Sequence, residues 1–200
     1  MKADINLVVM IPAFNEEKTI GKVVSSIPRD CAKTVKVLVV NDGSKDNTVI
    51  EAKKAGADII KFQTYKAKKL TVKASPRFWN WEGERDDKGS QYDSYSILDS
   101  FGKSEYQELI KLCKKYNIEF MSTPFDNESA DMLVDLGMKG FKIASCDITN
   151  IPFLRYIAKF NLPMLLSTGA SSIDEIRNAV NTIEEEGCKK IGIMQCTLCY

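Results

Sequence analysis

The sequence predicts an α/β fold of parallel β/α repeats with a sheet of about seven strands. Three observations predict it. Short apolar, β-branched runs recur at 7–11, 35–40, 58–62, 118–122, 140–144, 163–167 and 190–195. Each is too short for a helix and too continuously apolar for a strand with one wet face, as buried parallel strands are. Helical patterns with start and stop signals lie between most of them.

The elements follow in order. After the first run, Asn15 is a good N-cap for a helix over 16–26. The helix over 46–55 stops at Gly56. Tyr106, Leu109, Ile110 and Cys113 recur at helical spacing within 104–116. The helix over 126–136 stops at Gly137. Asn150 can cap a helix with Pro152 in its first turn. Ser172 and Glu175 form a capping box opening a helix that ends at Gly187. The connection 64–103 is the exception, holding both tryptophans, many charges and little apolar period. So long a loop reads either as a lid over a site or as a segment packed by its own aromatics, Phe78, Trp79, Trp81, Tyr92 and Tyr95.

Composition narrows the function classes. The 200 residues carry 28 Lys plus Arg against 27 Asp plus Glu, a net charge of +1, so binding nucleic acid by bulk charge is excluded. Histidine is absent, which removes Ser-His-Asp triads, Cys-His dyads and histidine metal sites. The run 7–11, broken by Pro12, is too short for a signal-peptide core or a membrane span. Six scattered cysteines read as reduced thiols, and a cytoplasmic location is expected. Cys196 and Cys199 form a C-x-x-C after a strand, read as two small residues rather than a redox pair. The length suits one good core but is short for two enzyme domains or a complete eight-stranded barrel.

Two motif sets carry chemistry. In the first, Val8-Val9-Met10-Ile11-Pro12-Ala13-Phe14-Asn15-Glu16-Glu17 is followed by Val37-Leu38-Val39-Val40-Asn41-Asp42-Gly43-Ser44. Two parallel strands ending side by side would bring Pro12, Asn15, Glu16 and Asp42 to the carboxyl edge of the sheet, where α/β proteins bind ligands. Asp42 could accept hydrogen bonds from a nucleotide base, and the helix after Asn15 would offer free N–H groups. This stretch resembles the opening of family 2 glycosyltransferases. The resemblance ends near residue 56, before that family's metal motif and general base.

In the second set, Lys61-Phe62-Gln63-Thr64, Ser122-Thr123-Pro124-Phe125-Asp126, Phe141-Lys142-Ile143-Ala144-Ser145-Cys146-Asp147, Leu166-Ser167-Thr168-Gly169 and Gln195-Cys196-Thr197-Leu198-Cys199-Tyr200 each end a predicted strand. Lysines at strand ends would be costly to bury alone, so they point either to an anionic ligand or to a network with carboxylates such as Asp147. These five motifs, in order, resemble the N-acetylneuraminate (sialic acid) synthase family over 57–200.

The resemblance implies an incomplete TIM-barrel-like sheet, with a glycosyltransferase-like segment over 1–56 and a partial synthase barrel over 57–200. It implies condensation of phosphoenolpyruvate with N-acetylmannosamine or a related 2-acetamido sugar, giving a nonulosonic acid and phosphate. Lys61, Thr123, Lys142, Ser145 and Ser167 would hold phosphoenolpyruvate. Asp147 would stand in for a family glutamate near the aldehyde. Gln63 and Tyr200 would face sugar and phosphate, and Gln91 and Tyr92 the sugar. On the same implication Lys61, Lys142 and Asp147 are the catalytic candidates. The family uses a divalent metal, Mn or Mg, whose histidine ligands this chain lacks. Gln195 and Leu198 replace a family His and Asn. The chain is therefore expected to be incomplete as a single-chain enzyme, with a homo-oligomer or a completing chain as partner.

Overall fold

The computed structural model describes residues 3–41, 44–75, 78–79, 85–86 and 89–196. Asp42, Trp81, Cys199 and Tyr200, singled out above, lie outside these. The elements in order are β1 (Ala3–Ala13), α1 (Ile20–Ser26), β2 (Ala32–Asn41), α2 (Thr48–Lys54), β3 (Ile59–Thr64), α3 (Ala67–Leu70), β4 (Phe78–Trp79), β5 (Arg85–Asp86), α4 (Gln91–Leu98), α5 (Lys103–Lys115), β6 (Glu119–Pro124), α6 (Asn127–Asp135), β7 (Phe141–Ile143), α7 (Ile151–Ala158), β8 (Met164–Ser167), α8 (Ile173–Glu185) and β9 (Ile191–Met194). A 3-10 turn at Ser145–Asp147 follows β7.

Seven of the strands form one sheet in the order β1-β2-β3-β6-β7-β8-β9, and the pairs β1/β2, β2/β3, β7/β8 and β8/β9 run parallel. All seven predicted strands are present. Their continuous burial, as in β3, β6 and β7, is what strands covered on both faces require.

Packing divides the chain into two compact units. The first comprises Met1–Gln63 and Gln107–Ser122. Its core gathers Val24, Val37, Leu38, Val39, Ala52 and Ile60, with Phe62 stacked on Phe120 at a centroid distance of 5.4 Å. The second comprises Thr64–Tyr106 and Thr123–Tyr200. In it Leu133 of α6, Leu154 and Ile157 of α7, and Ala179 and Ile183 of α8 recur at helical spacing and are fully buried, as are Phe141, Ile143 and Leu166 of the strands.

Local signals hold at most helix ends. Ser172 and Glu175 form the capping box, and the Asp126 carboxylate accepts from the Ser129 N–H. Gly56, Gly137 and Gly187 have φ of +97°, +84° and +92°, the left-handed stop that favours glycine.

Three expectations are corrected. Asn15 does not cap α1: it sits in a left-handed turn at φ +53°, and the helix starts at Ile20 after Thr19. The reason is tertiary, since the second strand-end loop takes up Asn15, Glu16 and Glu17. The helix predicted from residue 46 starts at Thr48, because the Asp46 side chain accepts from the Thr48 N–H. The connection 64–103 is not a bare loop; it carries α3, α4 and the antiparallel pair β4/β5, with Ser90 and Asp93 forming a further capping box. Tyr65 meets Tyr95 edge-on at 5.4 Å, so aromatics do tie this segment down.

Candidate anion site at the ends of β7 and β8

Two clusters of strand-end polar groups occur, one in each unit. In the first unit the β1–α1 and β2–α2 loops are stitched together. The Asn15 N–H donates to Ser44 Oγ (2.9 Å), and Asn15 Oδ1 accepts from the Lys45 N–H (3.0 Å). The Glu16 N–H donates to Thr48 Oγ1 (2.8 Å) and the Glu17 N–H to Asp46 Oδ2 (3.1 Å). Glu17 Oε2 in turn accepts from the Asn47 N–H (3.1 Å), and the Thr19 hydroxyl donates to the Glu16 carboxylate. Buried Asn41 accepts from the Ser44 N–H. The expectation that N–H groups after Asn15 are free for a nucleotide is thus overturned for residues 15–17. Pro12 lies in β1 opposite Val40. Lys61 of β3 is 3% exposed and its ammonium donates to the Phe62 carbonyl (3.3 Å). Gln63, two residues on, is half-buried.

The second unit differs. Lys142 lies in β7 and is 9% exposed. The register pairs Lys142 with Leu165, so Ser167, two residues beyond Leu165, shares its face of the sheet. Ser167 is 2% exposed and its hydroxyl has no hydrogen-bond partner among the described residues. Ser145 Oγ accepts from the Gly169 N–H (3.0 Å), which leaves the Ser145 proton free to donate. Thr168 is fixed by its N–H and hydroxyl, both bonded to the Met194 carbonyl. Among the described residues no carboxylate comes within ion-pair distance of Lys142.

Burial pushes the Lys142 ammonium below its ordinary value, against the opposing influence of Cys196, Cys146 and Asp147. Burial likewise raises the Asp147 carboxyl, though the Asn150 amide (3.4 Å) and Cys146 donate to it. Both shifts favour the neutral forms. The arrangement is an ammonium and two hydroxyl donors at the carboxyl end of a parallel sheet, with no anion of the described chain to satisfy them.

The structure thus brings Lys142, Ser145, Asp147 and Ser167 together. Thr123, buried in β6, belongs to the same unit. Gln91 and Tyr92 do too, but their described contacts lie elsewhere: Ser75 donates to Gln91 Oε1 (3.2 Å), and the Lys73 ammonium lies 5.6 Å from the Tyr92 ring centroid. Sequence reasoning missed the Gly169 N–H on Ser145 and the nearness of Cys146 and Cys196 to Lys142. The Ser-Thr-Gly run ending β8 was the available signal for the first. A divalent metal finds no ready set of ligands among the described residues. Among the described residues no three His, Cys, Asp or Glu side chains are grouped to hold one, and the sequence has no histidine. No helix among the described residues is long and apolar enough to cross a membrane.

The NeuB family model matches residues 48–200, and a glycosyl transferase family 2 model matches residues 8–77. An N,N'-diacetyllegionaminic acid synthase of Campylobacter jejuni is 42% identical over 149 residues, covering 73% of this chain and 44% of that protein. One from Legionella pneumophila is 38% identical over 136 residues, covering 68% and 38%. The chain therefore spans less than half the length of these relatives. The crystal structure of an N-acetylneuraminic acid (sialic acid) synthetase from Leptospira borgpetersenii shares the fold. Its TM-score is 0.64 at 24% identity, over 98% of this chain and 55% of that one. With a family match running over most of its length, the chain belongs to the NeuB family.

Proposed function

We propose that this chain carries the phosphoenolpyruvate half-site of a sialic acid synthase-type enzyme. The whole enzyme would condense phosphoenolpyruvate with N-acetylmannosamine or a related 2-acetamido sugar, giving a nonulosonic acid and phosphate. The observation that carries the reading is the buried Lys142 ammonium, without a carboxylate among the described residues, beside the unpartnered Ser167 hydroxyl. An anionic ligand satisfies both at once. Lys142, Ser145 and Ser167 would hold the carboxylate or phosphate. Thr123, Lys61, Gln63 and Tyr200 are assigned to the same substrates by the family pattern, as are Gln91 and Tyr92 on the sugar side. Asp147, whose carboxyl burial raises above the ordinary carboxylate value, would exchange a proton near the aldehyde. A Mn or Mg ion would have to find its ligands outside the described residues. A cytoplasmic location goes with this reading.

Residues 1–56 we read as a glycosyltransferase-like segment that now serves as scaffold, supplying β1 and β2 to the sheet, with 57–200 as the synthase segment. The self-satisfied loops at Asn15–Glu17 support this over nucleotide binding. A homo-oligomer or a completing chain is the partner we propose for this reading.

Calorimetric titration tests the function. Phosphoenolpyruvate is expected to bind in the micromolar range and to weaken about a hundredfold in Lys142→Ala, with no binding of a uridine nucleotide. Nucleotide binding abolished by Asp42→Ala, with none for phosphoenolpyruvate, would reverse the reading.

A further inference from the structure

We infer that Lys142 is also a Schiff-base nucleophile, able to capture the keto carbon of a small 2-oxo acid of the pyruvate class. Four features of the second unit place the necessary groups together. Lys142 is 9% exposed and, among the described residues, has no carboxylate at ion-pair distance to hold its proton. A lysine removed from water in this way is the kind that reacts as a free amine. Ser167, on the same face of the sheet and one strand over, has a buried hydroxyl with no partner among the described residues. Ser145, fixed by the Gly169 N–H, keeps its own proton to donate. These two hydroxyls can hold a carboxylate while the adjacent keto carbon meets the lysine. Asp147 feels the charge of Lys142 and is oriented by Asn150, and it supplies a local proton acceptor and donor. The amine is also easier to free than that of an exposed lysine, because burial disfavours the ammonium.

The step balances without metal, oxidant or reductant. The Lys142 ammonium gives one proton to the Asp147 carboxylate through an intervening water, and the nitrogen lone pair adds to the keto carbon. The C–N bond forms as the carbonyl π bond breaks, and Asp147 returns that proton to the oxygen. Asp147 then takes a second proton from the nitrogen and passes it to the same oxygen, which leaves as water as the C–O bond breaks to give the iminium. The sum is ammonium plus ketone to iminium plus water. This chemistry is distinct from phosphoenolpyruvate binding, although both use Lys142.

Borohydride trapping tests it. The full chain is incubated with pyruvate, reduced with borohydride, digested and mapped by mass spectrometry. The Lys142 peptide is expected to carry the reduced pyruvyl group in several-fold excess over peptides with exposed lysines such as Lys111 and Lys54, whose ammoniums pair with Glu108 and Glu51. Equal labelling across lysines, or none on Lys142, would overturn the inference. Lys142→Arg keeps the positive charge but has no amine to form an imine. Trapping should vanish in it while circular dichroism and urea unfolding match the wild type. Should that variant fail to fold, protection of wild-type Lys142 from labelling by excess phosphoenolpyruvate serves instead; labelling unchanged by it would count against a shared site. Trapping without phosphoenolpyruvate binding would sink the proposed function and leave this inference standing; binding without trapping would do the reverse.

Discussion

The loops after β1 and β2 and the residues after β7 and β8 occupy equivalent places, at the carboxyl ends of parallel strands, yet they spend their polar groups differently. Around Asn15 and Ser44 the described N–H groups meet acceptors of the chain: Asn15, Glu16 and Glu17 give theirs to Ser44, Thr48 and Asp46. Around Lys142 the ammonium lacks a carboxylate among the described residues, and the Ser167 hydroxyl is buried alone. The first arrangement stabilises the fold. The second leaves buried polar groups unsatisfied, which costs stability until a ligand satisfies them. The difference teaches that a strand-end motif marks a possible site, and that unfilled hydrogen-bonding capacity marks which one binds.

Lys142→Ala should break the contrast most sharply. Phosphoenolpyruvate binding is expected to weaken by about 3 kcal/mol, roughly a hundredfold in Kd by calorimetry. Stability of the unliganded protein, read by urea unfolding, should stay level or rise, because an unpaired buried ammonium is removed. A marked loss of stability would show that Lys142 has a structural partner after all.

Asp58→Ala probes the opposite behaviour. Its carboxylate accepts from Arg29 (2.8 Å), Lys36 (3.0 Å) and the Val37 N–H (2.9 Å). Loss of about 2 kcal/mol of stability is expected, with ligand affinity unchanged. Burial works to raise the pKa of this carboxyl, but Arg29, the Val37 N–H and Lys36 together outweigh it and hold it below the ordinary 3.8. Asp126 is lowered likewise, burial being outweighed by Ser129 and Lys69. A depressed folded-state pKa gives stability that is present above the unfolded value and lost as pH falls through the folded one. Acid unfolding should therefore set in below about pH 4, and Asp58→Ala should flatten that limb of a stability–pH curve.

Ser167→Ala should lower phosphoenolpyruvate affinity by about tenfold, near 1.4 kcal/mol, while unfolding measurements show no loss of stability, since the hydroxyl has no bond to the described residues to forfeit. Asn15→Ala has the smallest expected effect. It removes the Asn15 Oδ1 acceptor of the Lys45 N–H and replaces a residue that tolerates φ +53°, for about 1 kcal/mol of stability by denaturant titration and no change in ligand binding.

Much of the architecture was legible beforehand because its signals are local. The run 35–40 and its six counterparts are apolar over strand length, and all seven became strands of one sheet. Ser172 with Glu175, and Gly56, Gly137 and Gly187, mark helix ends through contacts made within a few residues. The segment 64–103 reads as a loop because α3 spans only four residues and β4 and β5 two each, and the eight residues of α4 mix Gln91, Asp93, Ser94 and Ser96 with apolar ones and form no clear apolar stripe.

The motif positions of the candidate site were also readable as residue types at strand ends. Their chemical state was not. Asn15 reads as a helix cap, but it bonds residues 29 and 30 positions away, and no local pattern encodes that choice. Lys142 reads equally as half of an ion pair or as a ligand group. The sequence by itself determined the alternation of strands and helices, their ends and the family pattern of the strand-end motifs, since backbone periodicity and capping act over a few residues. Only the tertiary structure decided that the Asn15, Glu16 and Glu17 N–H groups find acceptors, and that among the described residues Lys142 meets no carboxylate and Ser167 no hydrogen-bond partner. Whether a buried donor finds an acceptor depends on which distant segments the fold sets within about 3 Å of it.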